Sequence, residues 1–249
     1  MSLQTKTNLN TSFENQDSYF CLSLQDGWQF WLLGGIFSFF LASILLSGWP
    51  QGLVPNISYP FAMGGDNLFT NWGAQRLIEG WVFDNPRSGY PFGSNFRDYP
   101  GSDAGSFLIL KILGMLSGSY YAAVNLFFLM SFPCVTIASF AVLRSLKLNE
   151  YLSIVGALLY AFSPFHFLRM SHLTYGMYFV VPVFFYISLR LYFFKVNYLK
   201  KSEEYKFKRK VLGGLGLIGL ASFGVYYAFF GLLVILTGAL AGCIRTKNS

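Results

Sequence analysis

The sequence predicts an all-α fold: a polytopic transmembrane helix bundle of about five to six spans, with a long external loop bearing amphipathic surface helices. Three observations carry the prediction. Of 249 residues, 54% are hydrophobic and 20% aromatic, yet only 12% are charged, about half the charge of a soluble domain. The apolar residues fall in runs long enough to cross a hydrocarbon layer roughly 30 Å thick. The basic excess, net +7, gathers in short segments between those runs. This composition excludes a disordered chain and argues against a single water-soluble domain. In so apolar a chain the positive excess marks cytoplasmic loops rather than a nucleic-acid surface.

Taken in order, residues 1–27 are polar and form a cytoplasmic N-terminal segment ahead of the bundle, which fills 28–249. A signal peptide opens with basic residues and a short apolar core. Here Lys6 is the one basic residue before Trp28, so Trp28 to Gly48 reads as a retained first span, with Trp28, Trp31 and Trp49 as interfacial anchors. Ala104 to Leu116 is apolar but short and contains Lys111, which suits an interfacial or re-entrant helix. Tyr120 to Leu143 is free of charge and closed by Arg144 and Lys147. Tyr151 to Ser163 ends at Pro164, and Leu173 to Phe194 carries only Arg190, near an end from which it can snorkel. Val211 to Ile244 is too long for one ordinary span. Two helices joined at Ser222-Phe223-Gly224 are preferred over one long tilted helix. The cysteines, Cys21, Cys134 and Cys243, show neither metal spacing nor a disulfide framework.

Charge then sets orientation. The loop 195–210 holds seven basic residues (Lys195, Lys200, Lys201, Lys206, Lys208, Arg209, Lys210) against Glu203 and Glu204. The positive-inside rule places it and the turn from Arg144 to Glu150 in the cytoplasm, together with the N-terminus. Two external segments remain. The first, 50–103, holds five acids (Asp66, Glu79, Asp84, Asp98, Asp103), and the second, Ser163 to Tyr175, holds Arg169 and both histidines of the chain. Polar chemistry is thereby expected on one face of a multi-pass membrane protein.

Three constellations on that face could carry chemistry. Asp66 opens a stretch in which Leu68, Phe69, Trp72, Leu77, Ile78 and Trp81 fall roughly on one helical side, as on a surface helix. Asp66 suits the N-cap of that helix and also a carboxylate poised as general base or metal ligand above the bilayer; the two are compatible, since one oxygen can cap while the other faces a substrate. The loop from Asn85 to Asp103 combines turn residues with Tyr90, Phe92, Phe96 and Tyr99. Aromatics beside Arg97, Asp98 and Asp103 suit a sugar or phosphate surface; the plainer alternative pairs Asp98 with Arg97 or Arg87 in a folded loop. In the third, Pro164 suits the first turn of a helix that carries His166, Arg169 and His172 at intervals of three, on neighbouring faces. Ionisable groups at membrane depth are costly and tend to serve a site, although headgroup contact is the simpler role. The spacing of the two histidines is not a standard zinc spacing.

This layout resembles the GT-C superfamily of membrane glycosyltransferases, which includes oligosaccharyltransferase catalytic subunits and protein O-mannosyltransferases. The stretch from Gly64 to Tyr178, with Tyr90-Pro91-Phe92-Gly93, Asp98-Tyr99-Pro100 and Ser163-Pro164-Phe165-His166, is also similar to large bacterial polytopic proteins of that class. The resemblance extends over residues 28–243. It implies transfer of a sugar from a polyprenyl-phosphate-type donor on the external face, in cell-envelope polysaccharide synthesis. Asp66 matches the family's essential acid by position and would take the acceptor proton. Arg169, with Arg97 or His172, would stabilise the leaving phosphate, and His166 belongs to the same binding segment. Asp98 or Asp103 would either orient sugar hydroxyls or hold a divalent cation. Where the oligosaccharyltransferase branch places acidic metal ligands, this chain has His166, Arg169 and His172, so the metal ligands stay unassigned.

The partners so implied are a lipid-linked sugar donor and membrane lipids, with no nucleic acid. The chain is short for the enzymes it resembles and stops at Arg245-Thr246-Lys247-Asn248-Ser249. A truncated module, or one that needs a partner membrane subunit, is therefore expected. The rival reading is a transporter or flippase, or a noncatalytic subunit, although transporters place their charges near the midplane.

Overall fold

Where the sequence runs apolar, the backbone closes its own hydrogen bonds in helices, as a lipid environment demands. The computed structural model describes residues 28–48, 50, 52–64, 66–80, 87–89, 91–93, 103–193 and 203–247, and over them the chain is all-helical. The helices are α1 (Trp28–Leu46), α2 (Asp66–Glu79), α3 (Ala104–Ser117), α4 (Tyr120–Ser145), α5 (Glu150–Ala161), α6 (Pro164–Leu168), α7 (Val180–Phe193), α8 (Glu203–Ala221) and α9 (Val225–Lys247). Two single 3₁₀ turns, Arg169–Ser171 and Leu173–Gly176, lie between α6 and α7. Four stretches are long and apolar enough to cross a membrane: Trp28–Leu46, Tyr120–Ser145, Glu150–Ser171 and Val225–Arg245. They mark the chain as a membrane protein.

Local chemistry sets the boundaries. Ser119 caps α4 by accepting from the Ala122 N–H, and Asn149 caps α5 by accepting from the Leu152 N–H. Pro164 occupies the first turn of α6, where a missing N–H costs nothing. The long final run breaks at Ser222-Phe223-Gly224, with Gly224 at φ 133°, a conformation that only glycine takes without strain. Two expected boundaries move. The run from Leu173 is not helical at its start: two 3₁₀ turns precede α7, and Pro182 lies in that helix's first turn. The second half of the basic loop 195–210 is helical, because α8 begins at Glu203. Acids in a first turn suit the positive end of a helix.

Helix α4 is the centre, packed against α1, α2, α3, α5 and α7, while α7 runs along α9. The core joins Leu77 of α2 and Leu110 of α3 to Val124, Phe127, Phe128, Leu129 and Phe132 of α4, and to Leu173 and Met177. The segments on either side of the candidate site thus share one core. The α7–α9 crossing is close because glycine permits it: a Cβ on Gly238 would lie 2.5 Å from the Ser188 carbonyl oxygen.

The surface helix α2 sits differently from its expected apolar face. Asn67, Asn71, Ala74, Arg76 and Leu77 turn inward, while Leu68 and Phe69 are exposed. Trp81 lies outside the described residues. Tertiary contacts anchor the C-terminal end of the helix. Lys111 of α3 donates to the carbonyls of Leu77, Ile78 and Gly80 at 3.1, 2.6 and 2.7 Å. These are among the carbonyls that a helix leaves unpaired at its C-terminus, where a cation also meets the macrodipole. The charge inside the short apolar run is therefore a cap for α2. Asn125 does the same for the preceding loop. Its amide donates to the Ile57 and Tyr59 carbonyls and its oxygen accepts from the Phe61 N–H.

The two ends of the bundle differ. At one end Phe30 packs on Phe140 and Tyr151, Arg144 pairs with Glu150 at 3.0 Å, and Arg245 lies over the Tyr192 and Phe193 rings. At the other end α2, the start of α3, the 3₁₀ turns and the start of α9 come together.

Candidate functional site

At that second end, the first residue of α2 meets the residue between the two 3₁₀ turns. His172 Nδ1 lies 3.3 Å from Asp66 Oδ2. Both remain open to the outside, with the Asp66 side chain 68% and the His172 side chain 43% exposed. Asp66 stands at the positive end of α2, a favourable place for an acidic side chain. The helix starts at Asp66 itself, and the carboxylate is directed to His172 rather than standing one residue ahead as an N-cap. The His172 backbone is fixed at both sides: its N–H donates to the Arg169 carbonyl and its carbonyl accepts from the Tyr175 N–H, each at 2.9 Å. The Tyr175 ring stands beside the imidazole, centroids 5.9 Å apart.

Arg169 contributes a cation in the same segment. Its guanidinium lies 4.4 Å over the Phe165 ring, and its Nε is buried without a hydrogen-bond partner. Among the described residues it forms no ion pair. A half-buried cation with aromatic support and no ion pair among the described residues is suited to an anionic ligand.

Among the described residues, Asp103 is the most buried of the expected acids, 7% exposed. Its carboxylate accepts from the Thr174 hydroxyl and from the N–H of Val225, the first residue of α9. In return the Gly105 N–H of α3 donates to the Ser222 carbonyl at 2.9 Å. Each helix start is thus satisfied by its neighbour, since first-turn N–H groups have no partner within their own helix. One oxygen, Oδ1, is buried and unpaired among the described residues. Burial raises the Asp103 carboxyl above its ordinary value, and the bonds from Thr174 and Val225 only partly counter it. Between these charges lies the Tyr175 phenol. Burial first, then the Asp103 carboxylate and Tyr226, push it up, against the pull of Arg169.

The structure brings together Asp66 and His172, and places Arg169 and Asp103 around Tyr175. It holds His166 apart from them. The expected helix carrying all three polar residues ends at Leu168, so the spacing of three does not hold across it. His166 turns inward and is fully buried, stacked on Phe132 at 3.8 Å between centroids. Its Nδ1 faces the Ala161 carbonyl at 2.8 Å and its Nε2 the Ser131 hydroxyl at 2.7 Å. That network is a satisfied core contact. Arg97 and Asp98 lie outside the described residues, and Arg87 pairs with Glu79 at 3.0 Å. Among the described residues no three His, Cys, Asp or Glu side chains converge as a metal site would require.

Tyr175, Thr174, Tyr226 and Tyr227 also belong to this end of the bundle and were not among the expected site residues. Tyr227 donates to the Tyr175 carbonyl at 2.8 Å, and the Tyr226 ring packs on Tyr175. The signal available for them was position: Tyr226-Tyr227 directly follows the break at Gly224, and Tyr175 lies three residues after His172. Comparison with protein-family models, curated proteins and solved structures finds no match.

Proposed function

We propose that this chain is a membrane-embedded glycosyltransferase-like protein, of the GT-C type its layout resembles, that moves a sugar from a polyprenyl-phosphate-type donor to an acceptor hydroxyl. The observation that carries the reading is the Asp66–His172 pair, joined from two distant segments, with the ion-pair-free Arg169 in the same turn. Transfer needs a base for the acceptor proton and positive charge for the leaving phosphate. The Asp66–His172 pair supplies the first and Arg169 the second. Asp103 Oδ1, buried and unpaired, is suited to accept from a sugar hydroxyl. The distribution of basic residues supports an orientation with this end outside the bacterial inner membrane and the N-terminus in the cytoplasm.

A transport reading keeps one observation in its favour, the helix break at Ser222–Gly224 with Asp103 at the start of α9. One experiment separates the two. Proteoliposomes are given a radiolabelled polyprenyl-phosphate hexose, and sugar release and donor translocation are both followed for wild type, Asp66→Asn and Arg169→Ala. The transferase reading expects release that falls by about 100-fold or more in each variant. Translocation of intact donor without release, or equal release by wild type and both variants, would sink it.

A further inference from the structure

The pair at the site leaves open which group takes the proton. Of its two ring nitrogens, His172 turns Nδ1 toward the Asp66 carboxylate, at an ion-pair distance of 3.3 Å; a carboxylate oxygen can only accept, so this placement favours the hydrogen on Nδ1. In the neutral ring the lone pair then resides on Nε2, at the opposite side of the imidazole from Asp66. Nε2 has no hydrogen-bond partner among the described residues, and the side chain is 43% exposed. Its surroundings fix the residue from three sides: the His172 backbone is bonded to Arg169 and Tyr175, the Tyr175 ring stands beside the imidazole, and the Asp66 carboxylate faces Nδ1. Such support is what a catalytic base needs and a headgroup contact does not. We propose that His172 Nε2 is the atom that accepts the acceptor's proton and that Asp66 is a positioning residue which fixes its tautomer; this rests on the transferase reading above.

The step balances as follows. The acceptor O–H bond breaks and its proton forms a bond to the His172 Nε2 lone pair. The freed oxygen pair forms the bond to the anomeric carbon of the lipid-linked sugar. The bond from that carbon to the phosphate oxygen breaks, and its electron pair leaves on the phosphate, beside Arg169. The imidazolium, stabilised by the Asp66 carboxylate, then returns its proton to water.

Two readouts test the assignment on the full chain in proteoliposomes. The first needs no turnover. The chain has two histidines, His166 and His172, so nitrogen-15 histidine labelling with a His166→Gln reference assigns both rings. The expected result is His172 as the Nδ1–H tautomer in wild type, lost in Asp66→Ala; the Nε2–H tautomer in wild type would overturn the proposal. The second is activity with the same labelled polyprenyl-phosphate hexose. His172→Ala is expected to lose about 100-fold to about 10,000-fold in turnover, with added imidazole restoring about tenfold or more. Asp66→Glu, which keeps a carboxylate for Nδ1, is expected to hold turnover above that of Asp66→Ala by about tenfold. A His172→Ala protein with near-wild-type turnover, or one that imidazole does not restore, would overturn the proposal. If wild type shows the Nδ1–H tautomer but releases no sugar, the transferase reading falls, and with it the base role of His172, while the Asp66–His172 contact stands.

Discussion

Lys111→Met removes one ammonium and retains the apolar stem, so it isolates the cap on α2. Three carbonyls at the end of that helix lose their donor, those of Leu77, Ile78 and Gly80, now bonded at 2.6 to 3.1 Å. A hydrogen bond to a charged group contributes about 1.5–3 kcal/mol net. The three share one ammonium, however, and the site is only partly buried, so water can reach some of the freed carbonyls. About 3 kcal/mol for the whole cap is the reasonable total. That corresponds to roughly 150-fold in the local opening equilibrium. Hydrogen exchange of detergent-solubilised protein, read by mass spectrometry, measures this opening segment by segment. The Lys111→Met protein should exchange its α2 amides about 150-fold faster, with α4 little changed. Lys111→Arg should fall between, because a planar guanidinium cannot converge on three carbonyls as a point charge does. Exchange in α2 within about threefold of wild type would refute the cap argument and the placement of α2 with it.

Other outcomes follow from the same reasoning. The Asp103 carboxyl is raised above its ordinary 3.8 by burial, so its contribution to stability is full below that value and is lost as pH rises through the raised value. Wild-type thermal stability should therefore decline across that window, and the uncharged, isosteric Asp103→Asn should lack the decline; parallel profiles would contradict the assignment. Gly238→Ala should destabilise by about 1–3 kcal/mol through overpacking, because its Cβ would meet the Ser188 carbonyl, whereas Gly213→Ala on α8 meets nothing and should be neutral or stabilising. Melting temperatures of the two variants in detergent compare them directly. Diethyl pyrocarbonate should modify His172 and spare the fully buried His166 in folded protein, with both modified after denaturation; early modification of His166 would contradict its burial.

The helices were legible because hydropathy alone determines what a lipid environment tolerates, and the break at Ser222-Phe223-Gly224 was legible because Gly224 takes a positive φ. The pairings were not. Lys111 looked like a charge that a short span must explain, yet its partners lie on another helix and leave no trace in spacing. The polar face of α2 pointed inward for the same reason: Asn67, Asn71 and Arg76 found tertiary surroundings that a helical wheel does not contain. For the candidate site, Asp66, Arg169, His172 and Asp103 were singled out from charge cost and position, and the structure gathers them at one end of the bundle. Grouping His166 with them failed because the argument assumed one continuous helix, whereas α6 ends at Leu168. The tyrosines at 175, 226 and 227 stayed hidden in a chain that holds sixteen.

The central claim is that Asp66 and His172 act as one unit at their end of the bundle. Turnover of the labelled donor by Asp66→Ala, His172→Ala and the double variant tests it most directly. Residues that act through one another are strongly non-additive. The account predicts that the double variant turns over no more slowly than His172→Ala alone. Losses that multiply, or single variants as active as wild type, would contradict it.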